Sequence, residues 1–230
     1  MEKIKLPPRL SAIAHLVPRG AKLADVGTDH ALLPLWLLEN ECIVSAVATD
    51  INKLPLMRAQ ANAQKAGESR IRFVLCDGLE GVSPAEADAV VIAGLGGENI
   101  ADILRRSPWA YKPGVTLILQ PMSRTEELCH AFFELGLQLE QEKLVRDAGR
   151  VYPIFRLTFG SMKPWRLGEY FTGPFSMQEE RELSASLLSE QQRRLRSAVE
   201  GLSLSGRDVK KLQYLRQALL DIEGRLEELI

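Results

Sequence analysis

The chain has 230 residues, of which 46% are hydrophobic and 26% charged, and its formal net charge is -1 at pH 7. That length and apolar fraction allow a full core, and the balanced charge excludes a uniformly basic nucleic-acid binder while leaving room for local basic patches. No apolar run reaches the roughly 18 residues of a bilayer span, and the opening MEKIKLPPRL lacks the apolar stretch of a signal peptide. Three widely spaced cysteines, Cys42, Cys76 and Cys129, support neither a disulfide framework nor a metal site, so the expectation is a soluble protein of the reducing cytoplasm.

In chain order, Pro7-Pro8 and the spacing of Leu10, Ile13, Ala14 and Val17 predict a short amphipathic helix over Leu6–Leu16. A strand over Leu23–Val26 follows and passes through Gly27 into an almost wholly apolar helix from about Ala31 to Asn40. The run AKLADVGTDHALLPLWLL thus places a strand, a glycine turn and a helix start in immediate succession, an arrangement that lets a ligand lie against backbone at the carboxyl end of the strand. It is neither common phosphate loop. No Gly-Lys-Ser/Thr follows, and Asp29 stands where a dinucleotide fingerprint has glycine, so a carboxylate would meet a pyrophosphate. A cationic ligand fits better, although Asp29 as a plain helix cap would account for the same residues.

A second strand over Ile43–Thr49 ends in Asp50, 25 positions after Asp25, the βαβ spacing that brings an acid to two ribose hydroxyls. A helix over Pro55–Ala66 is closed by Gly67, and a third strand over Ile71–Leu75 runs into Cys76-Asp77-Gly78-Leu79, where the acid is placed to accept from an adenine amino group. Turn chemistry alone would also explain Asp77-Gly78. The continuous apolar run Ala87–Ala93 reads as a strand buried on both faces, ending in Gly94-Leu95-Gly96-Gly97 before a helix over Glu98–Arg106. A fifth strand over Val115–Gln120, a helix over Thr125–Leu135 and a hairpin of Leu137–Arg146 with Tyr152–Phe159 complete the first unit. The fold class is therefore α/β, a doubly wound Rossmann-like sheet over residues 1–160 with special residues at four successive strand ends.

Residues 161–230 change character. After a linker over Ser161–Pro174, leucines spaced by threes and fours over Met177–Leu202 and Val209–Ile230 predict an antiparallel two-helix coiled-coil hairpin with its break at Ser203–Gly206. From Ser161 onward basic and acidic residues number eleven each, so the appendage is no basic arm, and Arg193, Arg194 and Arg196 read as an ordinary solvated face or as a basic patch. Closure of the seam within the hairpin favours a monomer.

Acids for a ribose and an adenine amine, a glycine turn and no phosphate device together indicate an adenosine ligand with a charged, phosphate-free tail. S-adenosylmethionine meets that description. The ordered set DVGTDHALLP, ATDIN, CDGL, AGLGGENI and LQPMSR resembles the bacterial tRNA adenine-N1 methyltransferases of the TrmK family, which modify A22, and the resemblance covers the first domain almost end to end. It implies that Asp25, Gly27, Thr28 and Asp29 line the methionine side of the cofactor, with His30 packed beside them, that Asp50 and Ile51 hold the ribose, and that Asp77, Gly78 and Leu79 hold the adenine. Gly94, Gly96 and Gly97 would floor the place of methyl transfer, where the motif that serves exocyclic amines is missing. Adenine N1 needs no deprotonation before attack, and Asp29 is the candidate carboxylate for the positive charge that methylation leaves, its alternatives being cofactor binding or helix capping. For tRNA, Lys3, Lys5 and Arg9 near the mouth would hold phosphates and Tyr152 would stack on an extruded base, unless it is simply a core tyrosine. A methyltransferase of small molecules or proteins shares every cofactor residue, and a non-enzymatic helical binding module predicts no cofactor at all.

Overall fold

The computed structural model describes residues 4–174, 181–205 and 208–229. Its seven-stranded sheet has the order β3-β2-β1-β4-β5-β7-β6, with β1 (Ala21–Val26), β2 (Ile43–Asp50), β3 (Ile71–Leu75), β4 (Ala89–Gly96) and β5 (Thr116–Ser123) parallel. The expected hairpin, β6 (Leu137–Asp147) and β7 (Arg150–Phe159), closes the far edge, with β7 antiparallel to β5 and β6 outermost, and turns through Ala148 and Gly149 with φ 47° and 79°. Two consecutive positive φ values are what a two-residue turn needs to follow the twist of its strands.

Side-chain alternation divides the core into two layers. On one face Leu23, Ala89, Val91 and Ile118 pack with Ile13 of α1 (Pro8–Ala14), Leu37 and Leu38 of α2 (Leu32–Glu39), and Ala59 and Ala63 of α3 (Lys53–Ala66). On the other, Val90, Ile92, Leu117 and Leu119 pack with Ile100 and Leu104 of α4 (Gly97–Arg106) and Leu128 and Phe132 of α5 (Thr125–Glu134). Covering both faces explains why β4 and β5 are continuous apolar runs.

The predicted linker holds a short helix, α6 (Glu169–Thr172), which buries Tyr170 and Phe171 against α5; Tyr170 stacks on His130 with ring centroids 4.2 Å apart. Helices α7 (Arg181–Ser205) and α8 (Val209–Glu227) then pack on each other. Their cross-links, Arg181 to Leu229, Arg196 to Glu223 and Arg216 to Ser203, run in opposite directions along the two helices, so the hairpin is antiparallel. The expected seam starts at Met177, which lies outside the described residues. Leu187, Leu188, Leu195, Leu215, Ala218 and Ile222 join the same buried cluster as α4 and α5, so the hairpin shares the core of the sheet unit. Leu204 and Val209, near its tip, are exposed.

Candidate active site

The sheet order reverses between β1 and β4, and at such a switch point the loops following two neighbouring strands diverge and open a crevice at their carboxyl ends. On the β1 side, Gly27 has φ +75°, a left-handed conformation that disfavours other residues, and the space where its Cβ would project is open. The amides of Gly27 and Thr28 are not free for a ligand: both donate to the Thr49 carbonyl, at 2.8 and 3.0 Å, which ties the loop to the end of β2. His30 and Ala31 also have positive φ, 66° and 53°, so α2 starts one residue later than the apolar pattern predicts. Two non-glycine residues held left-handed at one loop are backbone strain, and packing maintains it: Asn62 of α3 donates to the His30 carbonyl at 3.0 Å.

Four carboxylates line the edge. Asp25 is buried, and desolvation pushes its carboxyl up to about 6; the buried Thr28 hydroxyl beside it pulls weakly the other way without completing a hydrogen bond. Asp29 projects outward, its side chain 62% exposed and its Oδ1 3.4 Å from His30 Nε2. Asp50 is buried at the end of β2, where its Oδ1 accepts from the Asn52 amide at 2.7 Å and Oδ2 has no protein partner among the described residues. Asp77 accepts from Arg106 of α4 at 2.9 Å, a guanidinium that Glu80 shares at 2.5 Å.

Beside Asp77 lies an open cleft of about 610 Å³, lined by Ile51, Leu95, Asn99, Ile103 and Arg106. Ile51, expected at the ribose, is 64% exposed there, whereas Leu79 is fully buried in the core and reaches no ligand through its side chain. Gly78 is left-handed, with φ +58°, and a Cβ on it would press to 2.8 Å from Ile103, while its carbonyl accepts from Thr49 at 2.8 Å. The β3 end is thus locked to β2 and α4. No sequence pattern marked Leu95, Asn99, Ile103 and Arg106 as site residues; the only signal was their position in or just after the glycine-rich end of β4.

On the β4 side, Gly94 has φ +83° and Arg9 Nη1 sits 3.2 Å from where its Cβ would be. Arg9 donates to Gln120 Oε1 at 2.6 Å and lies 3.4 Å from Asp147, so this expected phosphate holder is committed to the protein. Lys5 is exposed; Lys3 lies outside the described residues. Gly96 faces Ser123 at the mouth, but a Cβ on Gly97 would collide with the Arg124 carbonyl, so Gly97 serves the junction of α4 with α5. Tyr152 is buried on β7 and lines a separate hollow beside Pro121 and Met122.

The family of sequences described as a methyltransferase domain matches residues 6–155. The chain belongs to that methyltransferase family. Across 236 aligned residues, covering 100% of this chain and 99% of the relative, it is 29% identical to the tRNA (adenine(22)-N(1))-methyltransferase of Bacillus subtilis (strain 168). The crystal structure of the B. subtilis M1A22 tRNA methyltransferase TrmK superposes with TM-score 0.81 at 28% identity, over 98% of this chain and 97% of that one. M. capricolum TrmK, solved with the natural cofactor product S-adenosyl-homocysteine, superposes with TM-score 0.73 at 26% identity, covering 97% and 96% of the two chains.

The residues of this methyltransferase fit an adenosyl sulfonium on the structure's own terms. A buried hydroxyl without a hydrogen bond at Thr28, open space over Gly27, an Asp50 oxygen left free and a run of carboxylates suit a polar cation and not a pyrophosphate. Among the described residues no group of three or more His, Cys, Asp or Glu could hold a metal ion, and no helix is long and apolar enough to cross a membrane.

Proposed function

We infer that this methyltransferase methylates ring nitrogen N1 of adenine 22 in tRNA, using S-adenosylmethionine. The observation that carries the reading is the likeness to tRNA (m1A22) methyltransferases, which runs unbroken through the sheet unit and the α7–α8 hairpin. A shared cofactor domain alone would leave the substrate open.

When bound, the cofactor supplies an electrophilic methyl group. The chain's residues do the rest. Asp25 and Thr28 face the cationic amino acid end, Asp50 takes ribose hydroxyls through its free oxygen, and Asp77, steadied by Arg106, accepts from the adenine amine. Gly94 and Gly96 floor the mouth, where their small size lets a flat base approach closely. Adenine N1 attacks with its own lone pair, so no base is needed beforehand; Asp29, exposed at the mouth, stabilises the positive charge that develops on the ring and takes a proton from the amino group. Tyr152 stacks on the extruded base. The enzyme acts in the cytoplasm as a monomer whose helical seam closes on itself.

Incubation of the purified protein with radiolabelled S-adenosylmethionine and unmodified bacterial tRNA, followed by nucleoside analysis, should yield 1-methyladenosine at a single position. Cofactor binding without label in tRNA would move the substrate to a small molecule or a protein.

A further inference from the structure

Half of the eighteen described arginines form ion pairs within the protein. Arg9 pairs with Asp147, Arg106 with Asp77, Arg156 with Glu140 and Arg196 with Glu223. Three exposed arginines, Arg150, Arg193 and Arg194, have no carboxylate within salt-bridge distance among the described residues, and all three border one cleft. Arg150 comes from the β6–β7 turn, and Arg193 and Arg194 lie one helical turn beyond Glu190 on α7. Arg146 lies on the same cleft and is held to α7 through Glu182 and Ser186, at 3.2 and 3.1 Å.

The cleft consists of two adjoining hollows of about 430 and 310 Å³ that share Arg150, Val151 and Glu190. The second hollow opens at Pro121, Met122 and Ser123, the carboxyl end of β5, and Tyr152 lines it. Gln120, the residue before Pro121, accepts from the Gly94 amide at 3.1 Å. A polar, arginine-edged cleft therefore begins at Ser123, which faces Gly96 at the mouth, and runs past Tyr152 onto α7. Unpaired guanidiniums exposed along a groove match a linear array of phosphates, which they bind by charge-assisted, forked hydrogen bonds.

We propose that this cleft between the β6–β7 turn and α7 is the track for the phosphodiester backbone of the substrate strand, with Arg150, Arg193 and Arg194 as its phosphate ligands. The assignment rests on the reading of the enzyme as a tRNA methyltransferase. Arg193 and Arg194 thus form a patch with a partner, whereas Arg196, their neighbour in sequence, is spent on Glu223 within the hairpin. Glu190, the carboxylate shared by both hollows, opposes binding and limits it to strands that follow the arginines closely.

The test is steady-state methylation of unmodified bacterial tRNA by the full chain at several salt concentrations. The triple variant R150A/R193A/R194A should raise the KM for tRNA about tenfold or more near physiological salt. It should also flatten the dependence of log(kcat/KM) on log salt by about one per arginine removed. Its kcat at saturating tRNA and its S-adenosylmethionine Kd should match the wild type. Glu190→Gln should lower the KM for tRNA, a gain that misfolding cannot imitate. A wild-type salt slope in the triple variant would overturn the track, as would an equal loss from Arg58→Ala, which removes an exposed arginine on α3. A wild-type enzyme that binds S-adenosylmethionine but leaves tRNA unmethylated would remove the functional reading itself, and the track with it.

Discussion

Arg9 and Gln120 stand 111 residues apart in sequence, yet the guanidinium of one donates to the side-chain oxygen of the other at 2.6 Å, directly over the Gly94 turn. The same oxygen accepts from the Gly94 amide at 3.1 Å, and the Gln120 amide donates to the Pro121 carbonyl at 2.7 Å. One wholly buried side chain thus fixes α1, the end of β4 and the end of β5 together.

Gln120→Leu should therefore destabilise the fold by about 2 kcal/mol, because buried groups lose their partners. It should also lower kcat by about tenfold or more through displacement of the Gly94 floor. Gln120→Glu keeps the acceptor for Gly94 and Arg9 and loses the donations to the Pro121 carbonyl and the Met122 sulfur, so it should retain more of both. Urea unfolding together with single-turnover methylation measures the two effects separately.

The buried Asp25 carboxyl, pushed up to about 6, makes a prediction with a definite sign. The folded protein holds a proton that the unfolded chain has released between pH 4 and 6, so stability falls as pH rises through that window and the full cost is felt above it. Asp25→Asn removes the cost and should raise stability by about 3 kcal/mol at pH 7, with no gain below about pH 4. The same change should weaken S-adenosylmethionine binding and abolish the tightening expected of the wild type between pH 5 and 7 as Asp25 ionises. Thermal melts and calorimetric titration across that range test both halves.

The two glycines before α4 should behave oppositely. Gly97→Ala drives a methyl group into the Arg124 carbonyl and against Leu128, and should cost at least about 2 kcal/mol because backbone cannot yield as a side chain can. At Gly96 a Cβ meets the Ser123 hydroxyl at 3.4 Å and the Asn99 and Glu98 side chains at 3.8 and 4.0 Å, all ordinary contacts, so Gly96→Ala should leave the melting temperature nearly unchanged and instead raise the KM for tRNA. Equal melting temperatures for the two variants would contradict this division.

These contrasts also mark how far the sequence could be read. Asp25, Asp50 and Asp77 could be placed at the carboxyl edge of the sheet because each lies in the last residues of a strand or just past it, and local pattern fixes both the strand and its end. For Gly97, expected at the substrate, the structure adds a packing reason, the approach of the Arg124 carbonyl, which lies in tertiary contacts that no local pattern encodes. The ties of Arg9 to Gln120 and of Arg106 to Asp77 join distant segments, and no periodicity encodes them. Ala31 gave no warning of left-handed backbone, and His30, of a type that tolerates that conformation better than most, is too weak a signal by itself to mark it. The four-residue α6 is too short to show a period, and its burial of Tyr170 and Phe171 welds the hairpin to α5. Deleting everything after Phe159 would consequently strip Phe171, Leu187 and Leu188 from the core, so truncation tests folding before it tests substrate choice.

Asp29 carries the catalytic assignment, and its geometry allows a clean separation of roles. Its carboxylate is mostly exposed and makes no hydrogen bond to a helix amide, which removes helix capping as its purpose. Two roles then remain, holding the cofactor's ammonium group or stabilising the charged adenine. If it serves the adenine, Asp29→Ala should reduce kcat by about a hundredfold or more while the S-adenosylmethionine Kd stays near the wild-type value. Asp29→Asn, which keeps the shape and removes the charge, should lose nearly as much. If it serves the ammonium group, the cofactor Kd rises in step with the loss of kcat/KM and turnover at saturating cofactor recovers. Near-normal turnover in both variants would end the assignment, leaving transfer to rest on proximity and on the electrostatics of Asp25 and the mouth.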